Sequence, residues 1–283
     1  LALSGSDFDF AFAGTAAVDE GVLAANGTTD LESGDTEPWL AAAGVTLPGF
    51  GLGLPARLSA DFDLDDGLMV LSGINGQVVG SSVSGDVNAQ LVDGLPHLTG
   101  ALSLQAFDLA TVAEAVVGAP ALSATDDAWP SAPFAPAVAT PLTTDLDLAV
   151  ESLRAGSFAR AEGARLTLRL GREGVSLSGL NARMHGGVLS GIVDFRNDGG
   201  TGLVSAQLQL AQARAQDVVG EIGLAGTLDM TASVTASGKS VDAVMSALSG
   251  SGTARLADLS IAGINPQALP DLLLPIIVLG GIY

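Results

Sequence analysis

The chain predicts a mainly β fold: an elongated, curved antiparallel sheet with an open groove, built from repeated units, with a few short helices. Three observations carry that expectation. Apolar and polar residues alternate along most of the 283 residues, which is the period of a strand with one wet face. Glycine is abundant at 37 residues, and residues suited to tight turns separate the alternating runs. One long stretch also returns at a constant offset of 106 residues.

The alternating runs begin at Phe8, Phe10 and Phe12, which oppose Asp7 and Asp9. Leu58, Ala60, Phe62 and Leu64 then oppose Ser59, Asp61, Asp63 and Asp65. Leu146, Leu148 and Val150 oppose Asp145, Asp147 and Ala149, and Leu166, Leu168 and Leu170 oppose Arg165, Thr167 and Arg169. Val204 to Leu210 and Leu228 to Val234 continue the pattern. Strands of about eight residues would run ~26 Å, and roughly 15 of them would make a sheet about 70 Å long. Short helices are expected at 36–43, at 108–117 behind an Asp108 cap, and at 240–248 behind a Ser240 cap.

The repeat equates Ser72-Gly73-Ile74-Asn75 with Ser178-Gly179-Leu180-Asn181, and carries Gly80 to Gly186, Gly85 to Gly191 and Leu102 to Leu208. A shared offset across several strands means stacked copies of one unit. Five of the 12 prolines fall in 119–141, a density that prevents ladder pairing. That segment therefore reads as a surface connector between a first β unit, 1–118, and a second, 142–283, with one sheet shared across the gap.

Composition excludes several functions. The net charge of −20 repels a phosphate backbone, so nucleic acid is not an expected partner, and docking on an anionic lipid surface is disfavoured. Cysteine is absent, and the two histidines, His97 and His185, stand 88 residues apart; neither a metal nor another cofactor is expected. Asp61-x-Asp63-x-Asp65-Asp66-Gly67 has Asp66 where a calcium loop needs glycine and Ser72 where it needs glutamate, so it reads as a solvated strand ending in a turn. Gly49-Phe50-Gly51-Leu52-Gly53 lies between prolines with no helix following, which argues against a phosphate cradle. No acid, base and nucleophile converge on a motif, so the chain reads as non-enzymatic. Hydrophobic residues make up 48% of it, but they are spread by alternation, and the apolar tail 272–283 is too short to span a bilayer.

A family resemblance appears in the second half. Trp129-Pro130-Ser131-Ala132-Pro133-Phe134, the strand at Asp145, Leu180 to Gly187 with Gly191, and the closing Leu248-Ser249-Gly250-Ser251-Gly252 resemble the carboxy-terminal region of the AsmA family. His185 stands where an aromatic is usual, and Pro130 separates the Trp-Ser pair. That family is related to TamB-type bridge-like lipid transport proteins. The resemblance implies a periplasmic envelope protein of Gram-negative bacteria, held by an inner-membrane anchor outside this sequence. It also implies phospholipids and outer-membrane assembly proteins as partners, and a role in lipid transport and outer-membrane integrity. The expected lipid-binding face comprises Phe10, Phe62, Leu64, Leu148, Leu168, Val193, Leu208 and Val234. The alternative is a β-solenoid or sandwich surface protein, adhesin-like and without lipid transfer.

Overall fold

The computed structural model describes residues 1–5, 7–19, 21–42, 53–122, 129–136, 142–156, 159–171, 174–219 and 224–261. It is mainly β: fourteen strands in sequence order form one curved, unclosed sheet, with few short helices. The first seven are β1 (Ala2–Ser4), β2 (Phe8–Asp19), β3 (Val22–Ser33), β4 (Ala56–Asp65), β5 (Leu68–Val78), β6 (Ser81–Val92) and β7 (Leu95–Asp108). The second seven are β8 (Thr143–Ala155), β9 (Ala159–Gly171), β10 (Gly174–Met184), β11 (Gly187–Asp198), β12 (Thr201–Arg214), β13 (Leu224–Gly238) and β14 (Ser249–Ile261). The helices are α1 (Glu37–Ala42), α2 (Leu109–Val117), α3 (Ala215–Val219) and α4 (Val241–Ser246), with one 3-10 turn at Ala119–Leu122.

The strands are longer than the expected eight residues. Apart from β1 they run from 10 to 15 residues. Two-residue turns are the reason. Asp66-Gly67, Val79-Gly80, Asp93-Gly94, His185-Gly186 and Gly199-Gly200 all hold positive φ at both positions, which matches the twist of the flanking strands and leaves almost no chain in loops. At ~4.8 Å per strand, fourteen strands still span roughly 60 Å.

The repeat is built into the strand boundaries. The limits of β5, β6 and β7 each reappear 106 residues later as those of β10, β11 and β12. The register shift between Leu71 and Ile74 likewise recurs between Leu177 and Leu180. Gly85 and Gly191 occupy equivalent positions at φ 140° and 153°, and a Cβ on either would strike the neighbouring strand's carbonyl, of Ala101 and Gln207 respectively. Both glycines lie on the apolar face, where missing side chains let the sheet bend.

One pairing departs from the antiparallel expectation. β7 and β8 are parallel, from His97 opposite Thr143 to Asp108 opposite Arg154. A parallel pair needs a crossover of a dozen or more residues, and the chain from 109 to 142 supplies one. The sheet is therefore unbroken across the gap between the two units.

The described part of 119–141, read from sequence as a surface connector, exposes some residues and packs others inward. α2 packs Leu109, Val112 and Val116 onto a buried cluster that includes Leu148, Leu166, Leu177 and Leu180. Val117, Ala121 and Phe134 then enter a second cluster with Ala236 of β13 and Val244 of α4. Proline keeps the segment out of the ladder, but its apolar residues still bury. Residues 123–128 and 137–141 lie outside the described residues.

The caps agree with the sequence. The Asp108 carboxylate accepts from the Ala110 amide at 3.0 Å, and the Ser240 hydroxyl from the Ala243 amide at 3.1 Å. α1 ends at Ala42, and position 43 is not described. α3 is a five-residue helix that the sequence reading lacked.

Candidate functional site

Residues paired across adjacent strands share a face, so the register traces rows through the whole sheet. One row starts at the Gly14–Gly27 pair and passes through Phe62, Leu71 and Val87 to Gly100. It crosses the parallel joint to Leu146, Leu168, Leu177 and Val193, and ends through Ala206 and Val234 at Gly250. No polar side chain interrupts it over thirteen strands. On the opposite face a row through Asp63, Val70, Asn88, Thr99, Asp145, Arg169, Ser176 and Asp194 is polar at every position but Val70.

Phe62, Leu168, Val193 and Val234, four of the expected site residues, are members of that apolar row. Phe10 lies on the same face through Leu31 and Leu58. Leu64 pairs with Met69 one row nearer the Asp66-Gly67 turn, Leu148 with Leu166 and Leu102, and Leu208 with Gly191 and Ala232. All eight thus share one face. Leu148 is buried at 4% exposure, while the other seven are half-buried.

The face differs between its two halves. Over β8–β10 the crossover covers it and a packed core results. Asn197, only 4% exposed, ties that crossover down: its amide nitrogen donates to the Val116 carbonyl at 3.2 Å and the Ala135 carbonyl at 2.8 Å. Its oxygen accepts from the Gly200 amide at 3.0 Å. Phe134 beside it meets Phe195 edge-on at 6.2 Å and donates its amide to the Lys239 carbonyl. Sequence reasoning missed Asn197, because Asn197-Asp198-Gly199-Gly200 signals only a turn.

Over β2–β6, α1 approaches, with Trp39 stacked on Phe8 at 3.9 Å between ring centroids. Phe12 and Phe62 meet edge-on at 5.6 Å. The Thr29 hydroxyl, between Phe12 and Ala60, is buried without a hydrogen-bond partner.

No family model, no curated protein and no solved structure matches the chain.

The wet face carries the charge. Arg57 pairs with Glu32, whose hydrogen bond and negative charge raise the guanidinium pKa above its ordinary value. Arg169 pairs with Asp145 at 2.9 Å, and Thr167 donates to Asp147 at 2.7 Å. His97 bonds Thr143 at 2.8 Å near one rim of the sheet, and His185 occupies a turn on the other. Among the described residues no three His, Cys, Asp or Glu side chains gather as a metal site. Asp66-Gly67 forms the tight hairpin turn that joins β4 to β5, as its sequence suggested. Among the described residues no helix is long and apolar enough to cross a membrane.

Proposed function

We propose that this chain is a non-enzymatic lipid-binding segment of a periplasm-facing envelope protein, sheltering phospholipid acyl chains against its apolar sheet face for lipid transport and outer-membrane assembly. The observation that carries the reading is the thirteen-strand row without a polar side chain, on a sheet whose other face is charged. The resemblance to the AsmA family adds the envelope setting and the inner-membrane anchor.

Mechanistically, transfer by such a face is partitioning. An acyl chain spans about 15 Å, half of a ~30 Å hydrocarbon layer. Strands of ten or more residues, at ~3.3 Å each, can hold one along their length. Each buried CH₂ contributes about 0.8 kcal/mol, so chains are retained, while successive similar rows let them move without a chemical step.

Photo-crosslinking tests this. Probes at Phe62 and Val234 are expected to capture phospholipid in cells, and probes at Asp61 and Asp147 are not. Equal capture from both faces, or none from either, rejects the reading. The rival, a β surface or scaffold protein, is favoured by one observation: over β8–β10 the protein fills its own apolar face. No capture at any apolar position would favour it.

A further inference from the structure

Charge is distributed very unevenly along the sheet. Residues 1–118 hold 16 Asp and Glu against a single basic residue, Arg57, whereas residues 142–283 hold 13 against 10. Arg57 is itself engaged by Glu32. Within the acidic half, the apolar face over β2–β6 lies outside the buried clusters that the described part of the crossover joins. Asp66 and Asp93 sit in turns at one rim of that face, while Asp9, Asp30, Asp61 and Asp63 point from the same strands to the opposite, wet side.

We infer that the β2–β6 face takes lipids with zwitterionic or neutral headgroups and discriminates against anionic ones; the inference rests on the lipid-binding reading above. An amphiphile whose chain lies on this face must leave its headgroup at a rim or in the water just above. Neighbouring strands lie ~4.8 Å apart, so a headgroup left at the rim between the β4–β5 and β6–β7 turns is within about one Debye length, ~10 Å at 0.1 M salt, of the Asp66 and Asp93 carboxylates. A phosphate with a net negative charge is repelled, and the one nearby guanidinium is not free to compensate. A headgroup that carries its own cation is not repelled. The second half, with nearly balanced charge, has no such filter, and its face over β8–β10 is occupied by α2.

The test uses the 283-residue chain and two monomeric probes with one acyl chain in common, lysophosphatidylcholine and lysophosphatidylglycerol. At about 20 mM salt the choline probe is expected to bind roughly tenfold more tightly, and near 1 M salt, where the Debye length is ~3 Å, the two should converge. Asp66→Asn with Asp93→Asn should tighten the glycerol probe and leave the choline probe unchanged, since asparagine accepts the positive φ of both turns. Equal affinities at low salt, or tighter binding of the anionic probe, overturn the selectivity and leave lipid binding standing. Failure of both probes to bind overturns the lipid reading itself.

Discussion

Gly73 and Gly179 hold the same left-handed backbone, φ 61° and 62°, at register shifts one repeat apart. No neighbour would obstruct a methyl group at Gly179, and the nearest atom at Gly73 is an Asp61 carboxylate oxygen at 3.9 Å. Alanine at either position therefore costs only its backbone strain, about 1–2 kcal/mol. Gly73→Ala and Gly179→Ala should lower stability by similar amounts in chemical denaturation. A large difference between them would show that the two bulges are not equivalent.

Val79 is a β-branched residue at φ 50°, first in the turn between β5 and β6. Its side chain is largely solvent-exposed, so little packing offsets the strain. Its amide still donates to the Pro55 carbonyl, a bond any residue keeps. Val79→Asn should raise stability by about 1 kcal/mol, read as a higher melting temperature; a decrease would mean that the valine makes a contact worth more than its strain.

The Asn197 amide satisfies two crossover carbonyls at once. Asn197→Ala leaves both without that donor, and each orphaned buried group costs about 1–3 kcal/mol. Asn197→Asp should be worse, since a carboxylate would face the same two carbonyls. Denaturation midpoints that rank wild type, Ala and Asp in that order are the expected result.

Leu148 and Phe62 are both on the apolar face, but among the described residues only Leu148 shares a buried cluster with the crossover. Leu148→Asp should unfold the protein, because a carboxylate forced into a packed core costs several kcal/mol. Phe62→Asp should leave a folded chain with reduced phospholipid co-purification. Asp147→Asn, on the exposed wet face, should change neither. Circular dichroism separates folding from binding in all three.

Much of this was readable from residue order because it is local. Alternation assigns a side chain to a face whatever the strand's neighbours are, so Phe10, Phe62, Leu168 and Val234 could be placed together before any pairing was known. The caps at Asp108 and Ser240, and the Asp66-Gly67 turn, depend on two or three adjacent residues. What escaped depends on closure over long distances. Nothing near residue 108 says whether the chain will return to the near rim or the far one, so the parallel β7–β8 pairing was invisible. The burial of Phe134 and the role of Asn197 follow from that return path. For the same reason Leu148 could not be told from Phe62: among the described residues, one acquires a lid from α2, 32 to 39 positions back in the chain, and the other does not.

The parallel joint between β7 and β8 also decides how such a sheet can grow. From β5 to β10 is five strands, and in a wholly antiparallel sheet an odd step reverses the chain and exchanges the rims. One parallel pairing cancels the reversal. Val79-Gly80 and His185-Gly186 accordingly fall on the same rim, and equivalent strands point the same way. A gene that duplicates this five-strand segment together with its crossover adds length without turning the copy over. The wall keeps one greasy side and one watery side however many copies accumulate, and its reach is set by duplication rather than by redesign.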